Sequence, residues 1–260
     1  MQEDRQLVPP DPPEIIERLR VQTPARLLTG RAGAAYKTST QLDLREAHAA
    51  ARDAVRTELN LLTDLGEDFV RTWSLFEVAT EATGKEQYLL RPDLGRRLNE
   101  PSRKIIKSSC PTGSDLQIVI GDGLSVTALA SQVPSLLPLL HKGARARAWT
   151  IGQTFVIRYC RVGILNELGD LLNPKVAILL IGERPGLATA ESLSAYMAYH
   201  PKPSDTDANR NVISNIHSRG VTAERAAHRI LNLATAMMTT QTSGYQLQEE
   251  LLPTNCIELP

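Results

Sequence analysis

The chain has 260 residues, 42% of them hydrophobic, which is enough for a sizeable core in one large or two small domains. Lysine plus arginine and aspartate plus glutamate both count 29, so the formal net charge is zero and nothing draws the whole chain to nucleic acid or an anionic membrane. No run of about 18 apolar residues suggests a bilayer span, and MQEDRQLVPPDPPEIIERLRV lacks the apolar core of a signal peptide.

Residues 1–25 contain Pro9, Pro10, Pro12 and Pro13, which read as an extended arm before a short helix from Glu14. Residues 29–40 are small and polar, hence a loop. A helix is predicted from Gln41 to Leu61, capped by Thr40, with Leu42, Ala49, Val55, Leu59 and Leu62 on one stripe. A second helix is predicted over Glu67–Ala82. Tyr88–Leu98 is broken by Pro92 and Gly95. Three short runs then read as strands: Leu116–Ile120, Phe155–Tyr159 and Val176–Ile181. The last is almost continuously apolar, the pattern of a strand buried on both faces of a parallel sheet. Helices are predicted over Ser125–Leu140, Gly163–Leu172, Thr189–Tyr199 and Thr222–Thr240. In the last, Thr222 can cap and Glu224 sits in the positive first turn.

Alternating strands and helices predict an α/β, doubly wound, Rossmann-like parallel sheet. The expected organisation is a Pro-rich arm over 1–25, a smaller, mainly helical N-terminal region over 26–100, the Rossmann-like domain over 101–247 and a tail over 248–260.

Ligands in such sheets bind beyond the carboxyl ends of the strands. Three ends are legible: Gly121-Asp122-Gly123-Leu124-Ser125, Arg161-Val162-Gly163 and Gly182-Glu183-Arg184-Pro185-Gly186. Each joins small residues, which let a ligand approach the backbone, to a polar group that can fix it. Asp122, Ser125, Glu183 and Gly186 are therefore candidates. The plainer reading of Glu183 is a turn residue paired with Arg184 or capping a helix. No phosphate-binding loop or dinucleotide fingerprint is present. Asp122, His217 and Ser125 form a hydrolytic triad only on paper, and the five histidines lack metal-ligand spacing. The cysteines, Cys110, Cys160 and Cys256, are too sparse for a disulfide framework and fit a reducing cytoplasm. The basic groups Arg96-Arg97, Arg103-Lys104-Lys107 and Lys142-Arg145-Arg147 read as solvated surface charge, without the aromatic platforms of single-strand binding.

Asn215-Ile216-His217-Ser218-Arg219-Gly220 is one residue from the Asp-x-His-x-x-Gly pattern by which some cobalamin proteins supply a lower axial histidine. Asn215 stands where the orienting carboxylate would be. The plainer reading is a hydrogen-bonded His–Asn pair in a loop.

VAILLIGERPGLATAESLSAYMAYH from Val176, followed by RNVISNIHSRG from Arg210, resembles the core of the ethanolamine ammonia-lyase small subunit family. Thr29–Gly33, His48, Arg52–Val55, Leu90–Leu98, Ile120–Ser125 and Tyr159–Val162 agree, so the similarity covers about residues 26–247. It implies a lyase of ethanolamine catabolism that yields acetaldehyde and ammonia. A large barrel subunit would hold substrate and radical chemistry, and this chain would help to bind adenosylcobalamin (coenzyme B12), base-on, at the interface between them. The family's cofactor contacts fall on Val162, Glu183 and Val212, the last commonly cysteine in relatives. No catalytic residue and no metal ligand is expected here, and His217 would not be the axial ligand. The setting implied is the cytoplasm, with a bacterial microcompartment left open. The alternative reading is a stand-alone α/β enzyme acting on a small substrate through Asp122, Glu183 or His217.

Overall fold

The computed structural model describes residues 14–22, 26–27 and 29–248. The Pro-rich stretch at 9–13 and the tail beyond Gln248 lie outside the described residues. Helix α1 (Glu14–Gln22) is followed by a small hairpin, β1 (Arg31–Ala32) and β2 (Ala35–Tyr36), within the segment expected to be loop. Then come α2 (Thr38–Arg56), α3 (Leu61–Leu65), α4 (Glu67–Thr72), β3 (Glu77–Ala79), α5 (Lys85–Leu90) and α6 (Glu100–Ser109). The rest alternates: β4 (Leu116–Gly121), α7 (Val126–Ala146), β5 (Phe155–Arg158), α8 (Ile164–Leu172), β6 (Val176–Gly182), β7 (Leu193–Tyr199), β8 (Asn211–Ile216) and α9 (Ala223–Thr240).

Six strands form one mixed sheet in the order β3-β5-β4-β6-β7-β8. The first four run parallel, with Val78 opposite Ile157, Val119 opposite Phe155 and Ile118 opposite Ile178. The sheet then turns antiparallel, pairing Leu179 with Tyr196 and Tyr196 with Val212. The all-parallel expectation is corrected accordingly. Every residue of β4 and β6 is buried, because each has a strand on both sides and packed side chains on both faces.

Side-chain alternation divides the core between the two faces. Ile118, Ile120, Val156, Ile178 and Leu180 point into one cluster with residues of α7 and α9. Val119, Phe155, Ile157, Ala177, Leu179 and Ile181 point into the other, with Ile106 of α6 and Ile164, Leu165 and Leu168 of α8. The connections through α7 and α8 thus cover opposite faces. Since β4 lies between β5 and β6, the chain reverses its winding there. Helix α7 runs through Pro134 and Pro138. Each costs about 3 kcal/mol in a helix interior, but Leu129, Leu136, Leu137 and Leu140 are fully buried and each contributes about 1.5–3 kcal/mol.

Two predicted helices are corrected. The helix expected over Glu67–Ala82 ends at Thr72, where Ser74 turns left-handed at φ 47°. Beyond it Phe76 stacks on Phe155 at 5.3 Å, Val78 is buried and β3 joins the sheet edge. Burial of these rings outweighs weak local helix preference. The helix expected over Thr189–Tyr199 is strand β7. Its Leu193, Ala195 and Met197 alternate into the first cluster, which only an extended chain beside β6 permits. Helix α2 starts at Thr38 with no side-chain cap from Thr40 and stops at Arg56. Leu59, expected to continue it, is 1% exposed in the core and its carbonyl accepts a bond from Arg158. Helix α9 matches its prediction, with Thr222 Oγ1 accepting from Arg225 N–H at 3.4 Å.

Candidate functional site

At the end of β4, Asp122 is 1% exposed. Its Oδ2 accepts the Tyr159 N–H and its Oδ1 the Cys160 N–H, both at 2.9 Å. Tyr159 is left-handed at φ 56°, so the carboxylate holds a strained turn after β5. Burial pushes this carboxyl up from its ordinary value, while Lys85 and the amides oppose the shift. Lys85 is itself 7% exposed, and its Nζ donates to the Gly123 carbonyl at 3.3 Å. Burial pulls the ammonium down, and Asp122 is the largest opposing influence. Tyr88 closes the group, its hydroxyl donating to Cys160 O at 2.9 Å and its ring lying 4.2 Å from the Arg161 guanidinium.

The glycines here are required by the protein's own packing. A Cβ on Gly182 would come within 2.0 Å of Ser125 O, on Gly123 within 2.4 Å of Gly182 O, and on Gly121 within 2.8 Å of Cys160 Sγ. Ser125 caps α7 through the Ala128 N–H at 3.3 Å and donates its proton to Ala190 O. Asp122 and Ser125 are therefore hydrogen-bonded within the fold. Gly186 alone of these has open space, its nearest neighbour being 3.9 Å from a built Cβ.

Glu183 follows β6 and is half-buried. It neither caps a helix nor pairs with Arg184. Its Oε1 accepts from Ser194 Oγ at 2.6 Å and from Asn215 N–H at 2.9 Å. Both bonds fall on one oxygen, and among the described residues no hydrogen bond falls on Oε2. Asn215 is held at φ 61°, and its Oδ1 lies 2.7 Å from His217 Nε2. The Arg219 N–H donates to His217 Nδ1 at 3.2 Å. Nδ1 therefore accepts, so the neutral ring carries its proton on Nε2 and donates it to Asn215. His217 is 2% exposed, and burial lowers its pKa from the usual value. A Cβ on Gly220 would strike Asn215 O at 2.4 Å, so this turn closes only around glycine. The expected His–Asn pair is present. The paper triad is not assembled, since Asp122, Ser125 and His217 each have other partners.

The side chains of Glu183, Ser194, Tyr196 and Val212 fall on the second-cluster face by alternation and register. Val162, just before α8, is half-buried and packs on the same cluster, as does Tyr196. The helices that pack on β7 and β8 are α7 and α9, of the first cluster. The outer face of β7–β8 is exposed in part: Val212 is 45% exposed and Tyr196 half-buried, while Ser194 and Ala198 on the same face are 3% and 1% exposed. Glu183 and Val212 lie at β6 and β8, whereas Val162 lies beyond β5, on the same side of the sheet but with β4 between it and β6. Sequence reasoning missed Ser194 and Tyr196, for which the alternation of LSAYMAY was the available signal, and the bond from Asn215 N–H to Glu183.

Among the described residues, no group of three or more His, Cys, Asp or Glu could hold a metal ion, and no helix is long and apolar enough to cross a membrane. Cys110 and Cys160 are free and buried.

Fold and site together define an α/β protein with a carboxylate, Glu183, held at a strand end beside a partly exposed sheet face. A family described as ethanolamine ammonia-lyase light chain (EutC) matches residues 13–248. The ethanolamine ammonia-lyase small subunit of Clostridium perfringens is 42% identical over 230 residues, covering 88% of this chain and 76% of its own length. That of Clostridium acetobutylicum is 38% identical over 235 residues, covering 90% and 95%. That of Fusobacterium nucleatum is 41% identical over 227 residues, covering 87% and 75%. The chain belongs to the ethanolamine ammonia-lyase light-chain family.

Proposed function

We propose that this chain is the cofactor-binding subunit of an adenosylcobalamin-dependent ethanolamine ammonia-lyase, joined to a large subunit that holds the substrate. The observation that carries the reading is Glu183, fixed by Ser194 and Asn215 at the head of a partly exposed β7–β8 face on which Val212 is exposed. A corrinoid is broad and rimmed by amides. It needs apolar surface with a few fixed acceptors, and this face has that chemistry. Glu183 Oε2 accepts hydrogen bonds from the cofactor's periphery. Val162 and Val212 offer apolar contact, and residues 101–247, with β3 at the edge, form the Rossmann-like unit that holds these groups.

When bound, adenosylcobalamin supplies the radical chemistry of carbon–nitrogen cleavage. This chain's residues bind it, orient it and exclude water. His217 supports a base-on mode, because both ring nitrogens are engaged and the ring is 2% exposed. It is not free to displace dimethylbenzimidazole from cobalt. The cytoplasm, or a bacterial microcompartment within it, is the setting this reading implies.

The test is Glu183→Ala, reconstituted with the large subunit. The cofactor concentration for half-maximal activity should rise several-fold while the subunits still co-purify, and the purified chain alone should not turn over ethanolamine. An unchanged cofactor requirement removes Glu183 from the site. Turnover by the chain alone would favour a stand-alone enzyme.

A further inference from the structure

Both groups that hold Glu183 come from an irregularity between β7 and β8. On either side of it Leu193 pairs with Ile216 and Ala195 with Ile213, so Ser194 of β7 stands opposite Ser214 and Asn215 of β8. An extra residue of this kind leaves the ladder and bends its strand. Here the Asn215 N–H donates to Glu183 Oε1 at 2.9 Å, beside the Ser194 hydroxyl at 2.6 Å. The shift in register is thus what turns two donors towards the carboxylate.

Asn215 delivers its N–H from a left-handed backbone, φ 61°, which a residue with a Cβ resists. Two bonds hold it there. Its carbonyl accepts the Val221 N–H at 2.8 Å, and its Oδ1 accepts the proton of His217 Nε2 at 2.7 Å. His217 is in turn fixed from three sides. Its N–H donates to Val221 O at 3.1 Å, its carbonyl accepts the Gly220 N–H at 2.9 Å, and its Nδ1 accepts the Arg219 N–H at 3.2 Å. A relay of hydrogen bonds therefore runs from the Arg219 N–H through the neutral imidazole and Asn215 to Glu183. Each ring nitrogen has one role in it, Nδ1 as acceptor and Nε2 as donor.

We propose that His217 is a positioning residue for the cofactor: it fixes Asn215, and through Asn215 the Glu183 carboxylate, so that tight cofactor binding requires the neutral ring. The proposal rests on the cofactor role given to Glu183 above. Protonation places a hydrogen on Nδ1, which then cannot accept the Arg219 N–H, and the turn that presents Asn215 loses a bond. Burial, the largest influence, and Arg219 in the same turn lower the pKa of the ring from its usual value, while Glu183 after β6 and Glu191 before β7 favour the imidazolium. The ring is accordingly neutral at neutral pH, and affinity is lost only as pH falls through that lowered value.

The test is the affinity of the two-subunit complex for adenosylcobalamin, read by equilibrium dialysis in the dark. His217→Gln keeps a donor near the position of Nε2 and does not titrate, whereas His217→Asn keeps only an acceptor near that of Nδ1. The Gln variant should bind within about twofold of wild type at about pH 8 and hold that affinity towards pH 5, where wild type weakens. The Asn variant should bind about three- to tenfold more weakly, the worth of one hydrogen bond, and should add nothing when Glu183 is already alanine. In the free wild-type chain the Asn215 N–H resonance should move with the titration of the ring. If Glu183→Ala weakens binding but a folded His217→Asn binds like wild type, or costs as much without Glu183 as with it, the positioning role is overturned and Glu183 keeps its own. An Asn215 resonance that ignores the ring overturns it too, even where the variants do not fold. If Glu183→Ala binds like wild type, the reading of Glu183 fails and this proposal with it.

Discussion

Asp122 offers the sharpest quantitative test of how the strand ends are built. Asp122→Ala removes the acceptor of two N–H groups, those of Tyr159 and Cys160, each bonded at 2.9 Å beneath a residue that is 1% exposed. Leaving a buried donor unpaired costs about 1–3 kcal/mol, so losing both costs about 2–6 kcal/mol. That is a large part of the roughly 5–15 kcal/mol by which a domain is stable. The bonds from Thr80 and to Glu58 are then left to hold Tyr159 at φ 56° against its steric preference. Asp122→Asn keeps one acceptor but turns an amide NH2 towards the other N–H, so about half the loss is expected. It also strips Lys85 of the carboxylate that supports its buried charge. Urea unfolding of the free chain, followed by far-ultraviolet circular dichroism, should rank wild type above Asn and Asn above Ala, with an unchanged slope. If both variants match wild type within about 0.5 kcal/mol, the carboxylate is not structural. A stable Asn variant with lost cofactor affinity would return Asp122 to the ligand site.

Three further outcomes follow from the geometry. Gly182→Ala, which drives a Cβ to 2.0 Å from Ser125 O, should cost at least the roughly 1–3 kcal/mol of an overpacked core, whereas Gly186→Ala, with 3.9 Å of clearance, should melt like wild type. Equal melting of the two would refute the close-approach argument. Asn215→Ala keeps the N–H on Glu183 but puts alanine at φ 61° and orphans the His217 Nε2 proton, for a loss of about 1–3 kcal/mol in denaturant titration. No loss would contradict the assigned tautomer. His141, its ring tilted against that of Trp73 with centroids 4.5 Å apart, is held down to about 4 by burial, below the roughly 6.5 of an unfolded histidine. The unfolded chain then binds the extra proton, so this contribution is complete above about pH 6.5 and is lost as pH falls towards 4. In His141→Gln the drop in unfolding free energy between pH 7.5 and pH 5 should be smaller than in wild type. An identical drop would exclude His141 as a source.

The elements legible in the sequence are those whose pattern is self-sufficient. Val176–Ile181 is apolar at every position, so it is a strand buried on both faces whatever lies beside it. Thr222 and the stripe behind it specify α9 within one chain segment. Thr189–Tyr199 differs, because Ala, Glu, Leu and Met favour a helix locally. The free edge of β6 decides the issue, and no local rule contains that edge. Strand β3 and the residue before it follow the same logic at the opposite edge of the sheet: Phe76 and Val78 are drawn out of helical register by Phe155 and Ile157.

The site divides along the same line. Residue types and order alone singled out Glu183 and the turn around His217 as candidates, because glycine and carboxylate after an apolar strand have few uses. What Glu183 bonds to, and which glycines are free, was decided by strands meeting from distant parts of the chain. Gly121, Gly123 and Gly182 look available to a ligand in one dimension, yet in three they are filled by Cys160, Gly182 and Ser125. Backbone proximity of this kind depends on which strands become neighbours, and periodicity carries no record of it.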